Sequence, residues 1–145
     1  MAMLALVIST LAPSCGGDGA PRIDIGKAEC SYCRMNVMDE QFASAIVTKG
    51  GRVYPFDSPE CMVQHVAEGS IAESEVKGWW VCDHAHPGTL INATTAHYLA
   101  SSTLHSPMNG NVAAFASEAD RDAAISTHPG DKLDWSGART RLLSH

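Results

Sequence analysis

Residues 43–69 read ASAIVTKGGRVYPFDSPECMVQHVAEG, and this stretch decides the fold. Two segments rich in β-branched residues, 43–48 and 52–56, flank Lys49-Gly50-Gly51, which predicts two strands joined by a turn. Ser58 followed by proline predicts a helix that begins there, runs to Glu68 and stops at Gly69. A third strand is predicted at residues 78–81. The stretch therefore indicates a ββαβ unit.

The second part of the chain carries a similar pattern. Residues 112–117 (VAAFAS) align with residues 53–58 (VYPFDS). Ser117 again predicts an N-cap, Asp120 lies three residues later, and the helix is expected to continue through Ile125. Neither unit alone carries enough apolar surface for a stable core. We therefore predict an α+β fold of two similar small ββαβ-type halves, residues 28–88 and 89–145, which share a core, with antiparallel sheets and helices on one side.

The N-terminal segment has the features of a targeting sequence. Residues 3–11 (MLALVISTL) form an uncharged apolar run that is too short to span a bilayer. Small residues precede Cys15 and glycines follow it, which resembles a bacterial lipoprotein cleavage site. We predict a signal peptide at residues 1–14, lipidation of Cys15 and a lipid-anchored flexible tether at residues 15–27. The alternative is an ordinary secretory signal; either way the chain is exported, to the periplasmic or extracytoplasmic face of a membrane.

The composition and the motifs of the chain argue against two classes of function, nucleic-acid binding and enzymatic catalysis. An apolar fraction of 45% indicates a globular protein, and a net charge of -6 without a Lys/Arg run argues against nucleic acid as a partner. Neither a nucleophile elbow nor a phosphate loop occurs in the sequence, so we do not expect an enzyme.

Chemistry is concentrated in Cys30-Ser31-Tyr32-Cys33-Arg34-Met35. A Cys-x-x-Cys pair can direct both sulfurs to one point, and a thioether two residues later favours a soft ion such as Cu(I) over Zn(II). Structural zinc usually requires four nitrogen or sulfur ligands, and a second Cys-x-x-Cys does not occur. Two alternatives stay open: a thiol oxidoreductase, or a structural lipoprotein stapled by disulfides such as Cys30–Cys33.

For most of the other potential metal ligands we expect a role other than metal binding. Cys82, His84 and His86 alternate, so an extended chain would point all three one way as an auxiliary site, although exposed turn histidines are the favoured interpretation. Cys61 and His65 share a helix face, and Cys61 is expected to be a buried packing residue. His105 is a weaker nitrogen candidate near Met108. Met38 and Met62 are expected to pack in the core.

The motifs resemble those of the NosL family, copper-binding lipoproteins that serve nitrous oxide reductase maturation. The match begins with Cys30-x-x-Cys33-x-Met35 after a lipoprotein-like start. The further matching stretches are Val81-x-Asp83, Ile91-Asn92-Ala93, Ala96-His97-Tyr98, Ser106-Pro107-Met108 and Ala114-Phe115-Ala116-Ser117-Glu118. Two positions depart from the family pattern: Arg34 replaces a glycine, and Asn109-Gly110 follows Met108 where the family has one glycine. Asparagine is the next best residue for a left-handed turn.

The resemblance implies two ββαβ-type halves, in a topology shared with an organomercurial lyase. It also implies a metallochaperone that delivers Cu(I) to the copper sites of nitrous oxide reductase through a membrane transporter complex. The expected metal ligands are Cys33 and Met35, with Cys30 and Met108 as further sulfur donors. A thiolate would neutralise Cu(I), and thioethers would complete a shell that stays partly open to a partner.

Overall fold

The computed structural model describes residues 19–145, so the predicted signal peptide and the lipidation site at Cys15 lie outside the described residues. Residues 19–145 form seven strands and three α-helices, with a short 3-10 helix at Glu73–Glu75. The first part of the chain contains β1 (Ser44–Thr48), β2 (Val53–Phe56), α1 (Pro59–Ala67), β3 (Val76–Cys82) and β4 (Leu90–Asn92). The second part contains β5 (His97–Ala100), β6 (Val112–Phe115), α2 (Glu118–Ala124), β7 (Asp131–Leu133) and α3 (Trp135–Leu143).

The two predicted ββαβ units are present, which confirms the α+β fold class. One sheet has the order β2-β1-β3-β4 and the other β6-β5-β7, so each unit places its first strand between the other two. All strand pairs within both sheets are antiparallel. The repeat aligned from the sequence is also correct, since β6 takes the place of β2 and each is followed by a serine N-cap, Ser58 or Ser117.

A shared core joins the two units. Phe56 and Met62 of the first unit lie in one buried cluster with Tyr98 and Leu142 of the second. Helix α1 packs against α3. A parallel bridge between Asp83 and Ala114 adds a backbone link. Because α1 and the loops around it face the second unit, a site at the start of α1 can be reached by residues from both.

Three elements extend the predicted pattern. β4 lies within the predicted second half but pairs with β3 in the first sheet. α3 follows an N-cap at Asp134, whose side chain accepts a hydrogen bond from the Gly137 N–H at 2.8 Å. Ile23 and Ile25, within the segment predicted as a tether, pack against the core. The tether stays a prediction for residues 15–18, which precede the described chain.

Candidate metal centre

The segment that carries Cys30 and Cys33 folds into a tight turn. The Cys30 N–H donates to the Met35 carbonyl at 2.8 Å, and the Arg34 N–H donates to the Cys30 carbonyl at 3.1 Å. Arg34 has a φ of 69°, the left-handed conformation that glycine adopts most readily. Arg34 thus adopts this conformation at a cost in backbone strain.

Two further residues approach from the junction of β2 and α1. The Ser31 N–H donates to the Pro55 carbonyl at 2.8 Å, which fastens the cysteine turn to β2. Asp57 follows the last residue of β2, and Cys61 lies in the first turn of α1. Pro59 at the first helical position has the φ that a helix requires, so the strand passes directly into the helix. The side chains of Asp57 and Cys61 are thereby directed at the cysteine turn.

Three thiols and one carboxylate converge at this point. The sulfurs of Cys30, Cys33 and Cys61 and one carboxylate oxygen of Asp57 all lie within 4.8 Å of one another. Two ligands that bind one ion at about 2.3 Å can be no more than about 4.6 Å apart, so the group is close to ligand spacing. Three of its members are buried, and only Cys33 is partly exposed. Within residues 19–145 it is the one cluster of three or more His, Cys, Asp or Glu side chains that can hold a metal ion.

The environment favours one thiolate in this group. The pKa of Cys30 is lowered to about 6, chiefly by a hydrogen bond from the Cys61 thiol and further by the backbone N–H groups of Asp57, Cys33 and Tyr32, although burial opposes the shift. The pKa of Cys61 is raised, because its proton is held by the Cys30 sulfur. Burial raises the pKa of Cys33 to about 11. These directions favour ionisation of Cys30 before Cys33 and Cys61 in the metal-free group.

Asp57 adds a second negative group with an unused acceptor. Its Oδ2 accepts a hydrogen bond from the Cys33 thiol at 3.3 Å. Its Oδ1 is buried and has no hydrogen-bond partner among the described residues. A buried carboxylate oxygen without a donor is costly unless a cation is bound nearby. The lowered pKa of Cys30 and this unpaired carboxylate oxygen together make the cluster suitable for a cation.

The predicted ligands fall into two sets. Cys30 and Cys33 lie in the cluster. The side chains of Met35 and Met108 lie at the surface, with exposures of 63% and 41%. Met108 lines a cavity of about 360 Å³ that also reaches Cys61, whereas Met35 contributes its backbone to the cysteine turn. Both thioethers stay predictions as ligands.

Sequence reasoning missed Asp57 and misjudged Cys61. Cys61 is buried as expected, but it belongs to the thiol cluster and is more than a packing residue. One sequence feature could have indicated these two residues. Asp57 and Cys61 lie on either side of the start of α1, so both side chains are directed at the segment that packs on the N-terminus of this helix. No feature of the sequence indicates that the start of α1 lies next to the turn at Cys30.

The other candidate ligands do not converge. Residues after Cys82 form turns, so the alternating pattern of an extended chain is lost. The His84 ring packs between Phe42 and Phe115, with ring centroids 5.4 Å and 5.5 Å away, while the His86 Nδ1 lies 2.8 Å from the Asp83 Oδ2 in a turn. Interpreting these histidines as an auxiliary site is thus disfavoured.

The remaining predicted side chains are mostly structural. The His65 ring packs against the rings of Tyr32, Tyr54 and Phe56, and His105 is exposed. Met62 is fully buried, which confirms its predicted core position. The prediction of a core position for Met38 is wrong, because its side chain is 67% exposed.

The fold and the cluster define a small α+β protein with a preformed thiol-rich group that can hold a metal. Residues 23–140 match the sequence model of the NosL family, and the chain belongs to that family. The crystal structure of the copper chaperone NosL from Shewanella denitrificans superposes with a TM-score of 0.68 at 22% identity. The match covers 81% of this chain and 92% of that one, which establishes the fold. None of the curated proteins compared with the chain matches it.

Within residues 19–145, every helix is too short or too polar to cross a bilayer.

Proposed function

We propose that the protein binds Cu(I) as cargo and serves as a copper chaperone. The observation that carries the proposal is the convergence of three cysteine sulfurs and one carboxylate oxygen within 4.8 Å of one another. Cu(I) is a soft ion that prefers polarisable sulfur, and one thiolate neutralises its single charge. Family membership and the structural likeness to a copper chaperone support this assignment. They also agree with the expectation that the protein is not an enzyme.

The proposed first ligands are Cys30, Cys33 and Cys61. The lowered pKa of Cys30 favours the negative charge there, and Cys33 lies at the partly exposed side of the cluster, where a partner can reach a bound ion. When Cys33 binds as a thiolate, its proton leaves along the hydrogen bond to the Asp57 Oδ2. Met35 and Met108 are proposed as thioether ligands that join the bound ion from the surface. Such a shell holds Cu(I) firmly while the surface ligands remain exchangeable.

The cellular setting is also a proposal. Export, lipidation of Cys15 and a position at the extracytoplasmic face of a membrane follow from the N-terminal sequence pattern. Delivery to nitrous oxide reductase through a membrane transporter complex follows from the resemblance to the NosL family. A chaperone held at the membrane surface would meet such a transporter at a high local concentration.

Titration with Cu(I) in the presence of a competing chelator tests the proposal. We expect about one Cu(I) per chain in the reduced wild type, loss of binding in Cys33→Ser and weaker binding in Met35→Leu. Cys82→Ser is the matched control, because Cys82 is a buried thiol outside the cluster and its loss should leave binding unchanged. Failure of the reduced wild type to retain Cu(I) against the chelator would refute the proposal.

Asp57 favours a second candidate, a zinc-binding protein. With this carboxylate the cluster offers four donors, the number that a closed tetrahedral Zn(II) site requires. The same competition decides between the two ions. Tight Zn(II) binding that depends on Asp57, together with weak Cu(I) binding, would favour the zinc candidate.

A further inference from the structure

A buried glutamate connects the thiol cluster to the loop that carries Met108. Glu60 precedes Cys61 in the first turn of α1, and its side chain is only 5% exposed. Its Oε1 accepts two hydrogen bonds from the second unit of the fold, one from the Ser106 hydroxyl at 2.5 Å and one from the Gly110 N–H at 2.6 Å. These donors lie on either side of Met108.

The loop is shaped to accept this carboxylate. A Cβ atom at Gly110 would collide with the Glu60 side chain, so only glycine allows the backbone to approach this closely. Asn109 and Asn111 have φ values of 60° and 55°, in the left-handed region. The loop is also closed on itself, because the Asn111 N–H donates to the Ser106 hydroxyl at 2.9 Å. Residues 106–111 thus form a closed turn that is hydrogen-bonded to α1 through Glu60.

The contact is costly for stability alone. The second carboxylate oxygen of Glu60 is buried and without a hydrogen-bond partner among the described residues. A half-satisfied buried polar group is less stable than an apolar contact of the same shape. A buried carboxylate is not required to hold the two units of the fold together. Its position beside Cys61 and Met108, on the cavity that both line, indicates a role at the site.

We infer that Glu60 is a positioning residue that holds the Met108 thioether within reach of the ion bound at the thiol cluster. The inference rests on the proposed function, since it requires bound Cu(I). One turn of α1 then supplies both Cys61 as a ligand and, one residue earlier, the group that places Met108. Removing the carboxylate frees the loop and lowers the share of conformations in which the thioether meets the ion.

A double-mutant cycle on the full reduced chain tests this inference. We expect Met108→Leu and Glu60→Ala each to weaken Cu(I) binding by about tenfold, the lower end of the range for groups that support a metal site. The double variant should bind no more weakly than Met108→Leu alone. X-ray absorption of the Cu(I)-loaded proteins should show the same loss of one sulfur neighbour in both single variants. Glu60→Gln should retain most of the affinity, because its amide oxygen can still accept both hydrogen bonds.

Asp83→Ala is the matched control. Asp83 is also buried, and its carboxylate accepts a hydrogen bond from the Ala85 backbone N–H and contacts the His86 side chain instead of the Met108 loop. It should lower stability and leave Cu(I) affinity unchanged. If Glu60→Ala does not fold, Ser106→Ala removes one of the two donors and should weaken binding in the same direction.

Three outcomes would overturn the inference while the proposed function stands: Glu60→Ala binds like the wild type, its effect adds fully to that of Met108→Leu, or Asp83→Ala weakens binding as much. If Met108→Leu has no effect, the inference also fails, and the cysteines alone bind the ion. If the wild type does not bind Cu(I), the proposed function fails and the inference with it.

Discussion

The ionisation of Cys30 gives the sharpest test of the site before any metal is added. The pKa of Cys30 is lowered from an ordinary value near 9 to about 6, so we expect most of Cys30 to be thiolate at pH 7, where an ordinary thiol stays protonated. The main cause is the hydrogen bond from the Cys61 thiol. Cys61→Ala removes this donor, so the pKa of Cys30 should rise toward 9 and most of the thiolate at pH 7 should be lost.

Thiolate absorbance near 240 nm, followed from pH 4 to pH 10 in the reduced metal-free protein, measures this change. The wild type should show one thiol equivalent titrating near pH 6, and Cys61→Ala should lack that step. Cys82→Ala should keep it, because burial raises the pKa of Cys82 to about 11. A wild type without thiolate absorbance below pH 8 would refute the assigned electrostatics of the cluster.

Three further predictions concern stability, each measured by urea unfolding of the metal-free protein. Arg34→Gly should stabilise the fold by about 1 kcal/mol, because glycine adopts the left-handed conformation without strain and the exposed ion pair with Glu29 contributes little; an unchanged or lower midpoint would contradict this. His84→Gln should reduce the loss of stability between pH 7 and pH 5. Burial and the neighbouring His128 lower the pKa of His84, so the unfolded chain takes up its proton first and stability falls as the pH drops below about 6.5; equal acid sensitivity of both proteins would count against this. Leu142→Ala should destabilise the protein by about 2–5 kcal/mol, since the side chain is fully buried, and a cost below 1 kcal/mol would show that α3 is not part of the core.

Most of the fold is readable from local signals. The turn at residues 49–51 separates the first two strands, the serine N-caps mark the start of the helix in each ββαβ unit, and these two helices end within a residue of the predicted positions. The same kind of signal was present for α3, where Asp134 caps the helix, but its weak apolar pattern gave no amphipathic stripe to recognise. β4 is a short strand at the edge of the first sheet, and its three residues carry too little pattern to be found.

Only part of the candidate metal site could be predicted from the sequence. Cys30 and Cys33 are close in sequence, so their spacing alone shows that both sulfurs can meet. Cys61 and Asp57 join them through the hydrogen bond that fastens the cysteine turn to β2, a tertiary contact that sequence spacing does not encode. The left-handed Asn109 was expected from residue type. The hydrogen bonds from Ser106 and Gly110 of the same loop to Glu60 depend on how the two units pack.

The four side chains of the cluster come from a turn, a strand end and a helix start, at positions 30, 33, 57 and 61. In an unfolded chain the first two lie far from the last two, so high-affinity binding of an ion requires that β1, β2 and α1 have assembled. In return, a bound ion ties the turn to the helix and opposes their separation, which raises the melting temperature in proportion to the logarithm of ion concentration over its dissociation constant. The cargo would thus protect its own carrier, and a carrier that has just been emptied would be the form most vulnerable to heat and proteolysis.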